Sequence, residues 1–130
     1  MMIGYVTVGT NDLGRAAEFY DGLLGAMGEA RLIDTRDFIA WGRSWEEPMF
    51  AVAVPGEEKP ATPGHGALVA LVQTSRAQVN KHYAKALSLG AEADGAPALR
   101  GEEGDQGFYA GYCRDPDGNR LCLFFVGPRA

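Results

Sequence analysis

The chain has 130 residues, 46% apolar and 22% charged, with a formal net charge of -5. That length suits one domain with one core, burying about two thirds of the surface the unfolded chain exposes. No run is long or apolar enough to span a bilayer, and the Lys and Arg residues of this acidic chain are scattered, so neither a membrane nor a nucleic acid is an expected partner.

Met2 to Gly9 is rich in β-branched and aromatic residues and predicts a first strand, with Tyr5 and Thr7 on one face and Val6 and Val8 on the other. It lacks the basic flank, apolar run and cleavage site of a signal peptide, so a cytoplasmic location is the default. Asp12 is a candidate N-cap. Leu13, Ala16, Tyr20, Leu23 and Leu24 then recur at helical spacing up to Gly25, the expected stop. Short strands follow around Arg31 to Asp34, Phe38 to Gly42 and Met49 to Val54, separated by breaks short enough for hairpins. Pro55 to Gly66, PGEEKPATPGHG, concentrates Pro, Gly and charge and reads as a linker within the domain.

Ala67 to Gln73 predicts a buried strand. Ser75 with Gln78 fits a capping box, and Val79, Tyr83, Ala86 and Leu87 form an apolar stripe ending at Gly90. Ala91 to Leu99 holds a weak strand signal. A constant shift that lays Tyr5 on Leu68 also lays Val6 on Val69, Phe19 on His82, Tyr20 on Tyr83 and Leu24 on Leu87, which points to two βαβββ halves.

The C-terminal stretch Phe108 to Val126 predicts two strands joined through Asp115-Pro116-Asp117-Gly118-Asn119. If those five residues are the loop, Arg114 faces Arg120, Tyr112 faces Cys122 and Ala110 faces Phe124 on one side of the hairpin. Cys113, Leu121, Leu123 and Phe125 then share the other side. Cys113 and Cys122 therefore point to opposite faces and are expected to be free thiols. The loop lacks the spacing and terminal Glu of a calcium loop and reads as a tight turn.

This stretch resembles the C-terminal signature of the vicinal oxygen chelate superfamily, the glyoxalase, bleomycin-resistance and extradiol-dioxygenase group. There, an aromatic strand runs into Asp-Pro-Asp-Gly-Asn and a last strand follows. Gly9 to Leu13 with Phe19-Tyr20 and Leu24-Gly25, and the Gly-rich approach PATPGHGALVAL from Pro60 to Leu71, extend the resemblance over essentially the whole chain. It implies an α+β fold of two βαβββ modules whose curled mixed sheets surround a cavity, helices outside. Module one would span residues of about 1–56, the linker about 57–65 and module two about 66–127. By analogy with relatives, a homodimer is expected.

In metal-using relatives a His on strand one, a His on the middle strand and a Glu after the Asp-Gly-Asn turn bind the metal. The matching positions here are Tyr5, Leu68 and Cys122. Leu68 donates nothing, a neutral phenol is a poor ligand, and one thiol is a single soft donor, whereas a catalytic divalent site needs about three converging donors. His65 is out of phase with Leu68 and His82 falls on a helix, so both read as structural or surface residues. No cofactor is expected, and Zn or Ni is disfavoured.

Cys122 reads as a small buried hydrophobe rather than a nucleophile, since the hairpin register offers it no His or Lys. Tyr5 and Tyr112 read either as hydrogen-bond donors in a cavity or as core aromatics. Trp41, Trp45 and Phe50 are either an aromatic wall for a ligand or ordinary sheet core. Arg100, just before the acidic loop Gly101 to Gly107, reads either as a partner for an anionic ligand or, the favoured reading, as paired with Glu102, Glu103 or Asp105 or solvated.

The functional expectation is a metal-free small-molecule binding protein. It would hold a hydrophobic or aromatic ligand against Tyr5, Thr7, Trp41, Phe50, Leu68, Tyr112, Cys122 and Phe124. The competing reading is an enzyme related to lactoylglutathione lyase, or an isomerase or dioxygenase relative. It would use unconventional metal ligands or a Tyr general acid.

Overall fold

The computed structural model describes residues 2–56 and 59–129. The expected linker therefore lies partly outside the described residues, at Glu57 and Glu58. The first half runs β1 (Tyr5–Gly9), α1 (Leu13–Ala26), β2 (Ala30–Asp34), β3 (Phe38–Gly42) and β4 (Met49–Ala53). The second runs β5 (Val69–Val72), α2 (Arg76–Ser88), β6 (Glu92–Ala93), β7 (Ala98–Leu99), β8 (Phe108–Arg114) and β9 (Arg120–Val126).

The strands form two mixed sheets that do not close into a barrel, ordered β1-β4-β3-β2 and β5-β9-β8-β6, with β7 also on β8. The repeat in the sequence has a structural counterpart. The first strand of each half runs parallel to the last, β1 beside β4 and β5 beside β9, with Val6 opposite Phe50 and Val69 opposite Leu121.

Both predicted caps form. The Asp12 carboxylate accepts from the Arg15 amide at 3.1 Å, and the Ser75 hydroxyl accepts from the Gln78 amide at 3.1 Å, each satisfying a donor the first turn leaves unpaired. Helix α1 runs past Gly25. The left-handed backbone that ends it comes at Gly28, with φ 88°, because Gly25 still carries helical geometry.

The helices lie on one side of the sheets, and a single apolar cluster joins both. Ala16, Phe19, Tyr20 and Leu23 of α1 and Val79, Tyr83 and Ala86 of α2 meet Ile39, Trp41, Phe50 and Val52 of the first sheet and Cys113, Leu121 and Leu123 of the second. Each fully buried large side chain there contributes roughly 1.5–3 kcal/mol. His82 belongs to this side. It is buried against Gln73, with Nδ1 2.6 Å from the amide oxygen, so its role is structural.

The β8–β9 turn ties the two halves together. Asp115 is buried and its carboxylate accepts from the Asp117 and Asn119 amides at 2.9 and 2.8 Å, from Asn119 Nδ2 at 2.9 Å, and from the Tyr20 hydroxyl at 2.5 Å. Asp117 accepts from the Thr10 hydroxyl at 2.6 Å and from Arg15 at 2.8 Å, while Asn119 Nδ2 also donates to Gly9 O at 2.9 Å. The tight turn is thus present, and its polar side chains serve as a latch onto β1 and α1.

The strand at Ala67 to Gln73 is shorter than expected and buried on one face only. Val69 and Leu71 pack into the core, while Ala70 and Val72 are exposed. Its apolar run suggested burial on both sides, but the helices cover only one.

Candidate functional site

The C-terminal hairpin has the register its sequence predicts: Arg114 opposite Arg120, Tyr112 opposite Cys122, Ala110 opposite Phe124. Parallel pairing with β5 sets Ala70 beside Cys122 and Val72 beside Phe124. Leu68 is in phase with Ala70, so Leu68, Tyr112, Cys122 and Phe124 share the face turned away from the helices. Leu68 is 39% and Val72 72% exposed, while Phe124 stacks on Phe108 with ring centroids 5.6 Å apart. The face is apolar and open along its β5 edge, while Cys122 and Ala110 behind that edge are buried.

Tyr5 and Thr7 occupy the corresponding face of the first sheet, in phase with Met49 and Ala51. The Tyr5 ring meets Phe38 edge-on at 5.8 Å and remains half exposed. Beside it, Ala40, Met49 and Ala51 are covered by Leu32, Ile33 and Phe38.

Trp41 and Phe50 do not line this face. Because Val6 enters the core and pairs with Phe50, and Phe50 pairs with Trp41, both aromatics must share the helix side. There they pack on Tyr20, with centroids at 5.7 Å for Trp41 and 4.7 Å for Phe50, and the indole donates to Asp21 at 2.9 Å. Arg31, with help from that indole, holds the Asp21 carboxyl below its ordinary range. Parity within each strand was legible from sequence; the register between β1 and β4, which decides the face, was not. Trp45, in the β3–β4 turn, is exposed.

The structure therefore brings together Leu68, Tyr112, Cys122 and Phe124 on one sheet and Tyr5 and Thr7 on the other. Recesses in the described surface include one of about 440 Å³ beside Asp21, Arg31 and Asp34 and one of about 330 Å³ beside His65, Arg114 and Arg120. Neither is lined by any of these six residues.

The residues present do not fit a divalent metal. Leu68 has no donor atom, and burial pushes the Cys122 thiol up, although the Tyr112 hydroxyl and the charges of Arg120 and Arg100 pull it partway back. Among the described residues no group of three or more His, Cys, Asp or Glu side chains is placed to hold an ion. Cys113, on the helix side, is pushed up to about 12 by burial and then by Asp115 and Asp94. Both cysteines are free.

The sequence reading placed Arg114 opposite Arg120 but gave that pair no role. Arg114 and Arg120 stand directly opposite each other at the end of the open face, sharing Asp94 at 3.7 and 2.8 Å. Like charges in that position repel, and their facing register, legible in the hairpin, was the available signal. Arg100 does not pair with Glu102, Glu103 or Asp105. It donates to the carbonyls of Ala110 at 3.3 Å and Ala96 at 2.6 Å, while Glu103 is taken by Arg76 at 2.8 Å. Arg100 and Arg120 both approach the Tyr112 ring, at 5.5 and 5.0 Å from its centroid.

A family model described as the Glyoxalase/Bleomycin resistance protein/Dioxygenase superfamily matches residues 2–123. Among solved structures, a glyoxalase/bleomycin resistance protein from Albidiferax ferrireducens T118 is 29% identical with a TM-score of 0.84, covering 96% of this chain and 99% of that one. A glyoxalase-related enzyme from Fulvimarina pelagi is 19% identical, TM-score 0.73, covering 96% and 88%. A lactoylglutathione lyase from Agrobacterium tumefaciens is 15% identical, TM-score 0.67, covering 95% and 92%. The last two likenesses show the fold alone. None of the curated proteins matches this sequence.

Proposed function

Because the chain belongs to the glyoxalase/bleomycin resistance protein/dioxygenase superfamily, we propose that it uses this fold to bind a small hydrophobic or aromatic molecule, without a catalytic metal. The observation that carries this reading is the open sheet face itself. Its Leu68 and Cys122 stand where metal-using relatives carry donors, and Leu68 and Val72 remain exposed at 39% and 72%. Contiguous exposed apolar surface of this kind marks an interaction site more often than idle surface.

Leu68 and Phe124 supply apolar contact, with the buried Cys122 beneath them, and Tyr112 presents a hydroxyl beside the Cys122 sulfur. Tyr5 and Thr7 on the first sheet offer two further hydroxyls. Trp41 and Phe50 are left out, since Tyr20 covers them.

An open face encloses little of a ligand, whereas small-molecule sites bury most of their occupant. A second copy of the chain laid over this face would complete the enclosure, and a homodimer is part of the reading. Among the described residues no helix is long and apolar enough to cross a membrane; a cytoplasmic location for the protein is part of the reading.

Native mass spectrometry of protein purified without added metal tests the reading in one measurement. The expected species is a dimer that retains an organic adduct or takes up a naphthalene-sized probe, with no Zn or Ni. Stoichiometric metal surviving dialysis, together with turnover of the methylglyoxal-glutathione hemithioacetal, would overturn it in favour of a lyase.

A further inference from the structure

The rim of the open face carries more positive charge than the fold uses. Three guanidinium groups, of Arg100, Arg114 and Arg120, gather around Tyr112 in a chain whose net charge is -5. The acids near them are Asp94, which serves both Arg114 and Arg120, and Glu92, opposite Arg114 in the β6–β8 register with no ion pair to it among the described residues. Arg100 is held by two backbone carbonyls, which position it and leave its charge uncompensated.

A protein gains no stability from setting two arginines opposite each other across a hairpin. The strap Gly64 to Ala67 crosses this end of the sheet and, with Arg114 and Arg120, forms the recess of about 330 Å³, with His65 on its wall. Pro63 seats the strap against the turn at Gly118, where a Cβ would meet Pro63 Cγ at 3.6 Å. The recess is polar and cationic, and the apolar strip of Cys122, Ala70 and Leu68 starts beside it on the same face.

We propose that the ligand of this face is an anionic amphiphile, with an apolar or aromatic body lying on Leu68, Ala70 and Phe124 and a carboxylate or phosphate head group held by Arg114 and Arg120, with Arg100 reinforcing the field. The proposal rests on the open face being the binding surface and adds the chemical class of what binds there. Guanidinium forks hold planar or tetrahedral oxyanions through paired charge-assisted hydrogen bonds, and Asp94 is displaced from one arginine or shared when the head group arrives.

The test is isothermal titration of the full chain with three probes on one aromatic body: naphthalene methanol, naphthoate and naphthyl phosphate. Naphthoate or naphthyl phosphate should bind about ten-fold tighter than the alcohol or more, and added salt should erase most of that margin. The tighter of the two anions assigns the head group as carboxylate or phosphate. In the Arg114→Gln/Arg120→Gln variant, checked for folding by circular dichroism, the anions should fall to the level of the alcohol. Arg36→Gln/Arg43→Gln, which removes the same two charges at exposed positions elsewhere, should leave the margin intact. Equal binding of all three probes by the wild-type chain overturns the anionic class while sparing the apolar-face reading. Binding of none overturns both, and a margin lost equally in Arg36→Gln/Arg43→Gln reduces the effect to net charge and overturns the site.

Discussion

Asp115 shows how one side chain can carry the junction between the halves. Its carboxylate accepts from two amides, the Asn119 side chain and the Tyr20 hydroxyl, all while buried. Asp115→Ala leaves those donors without partners and should lower the unfolding free energy by roughly 3 kcal/mol. Asp115→Asn, which keeps an acceptor oxygen, should cost about half as much. Urea midpoints at constant m-value would check both; equal, small losses would mean that water replaces the carboxylate. From the sequence, Asp-Pro-Asp-Gly-Asn read as a turn, which it is, because turn chemistry is local. That its side chains reach Gly9, Thr10 and Tyr20 was invisible, since nothing in the spacing says which distant element lies beneath a turn. The same limit explains Trp41 and Phe50: their faces depend on which strand pairs with β1.

At the scale of elements, α2 sits on β8 closely enough to leave no room for a side chain at Gly111. A Cβ there would meet Tyr83 Cδ1 and Pro97 Cγ, each at 2.9 Å. Both neighbours are rings, so neither yields cheaply, and Gly111→Ala should destabilise by about 1–3 kcal/mol despite the better strand propensity of Ala. Thermal denaturation would read this as a lowered midpoint.

Helix α2 also carries a pH dependence. Burial, reinforced by Lys81, lowers the His82 pKa, so the unfolded chain binds more protons than the folded one in that range. The stability His82 confers is fully present above its unfolded value of about 6.5, and it is lost as pH falls from there through the lower folded value. Urea midpoints should therefore drop between about pH 7.5 and about pH 5, and His82→Gln should flatten part of that slope. An unchanged slope in the variant would assign the acid sensitivity to other groups. Both N-caps, the end of α2 and the hairpin register were legible in the sequence, because they depend on residues a few positions apart, whereas α1 ran past its expected stop at Gly25.

For the whole molecule, the open question is what covers the sheets. Both helices lie on one side, and the two sheets do not close on the other, so the face with Leu68, Val72 and Phe124 stays turned to solvent in a single copy. The two curled sheets do not pair with each other, and each ends on unpaired edges. If a second copy supplies the missing wall, Val72, 72% exposed at the end of the edge strand β5, becomes an interface residue. Val72→Asp would then bury an unpaired carboxylate between copies. Sedimentation velocity should show a dimer for the wild-type chain and a monomer for the variant, with self-association weakened by about ten-fold or more. The thermal midpoint of the monomer itself should barely move, since an exposed β5 position makes few contacts within one chain. A wild-type chain that sediments as a monomer at tens of micromolar would refute the second copy as the wall. The ligand would then have to bind on an open sheet, where the Arg114 and Arg120 head-group contacts would have to supply most of the affinity, and its salt dependence would steepen accordingly.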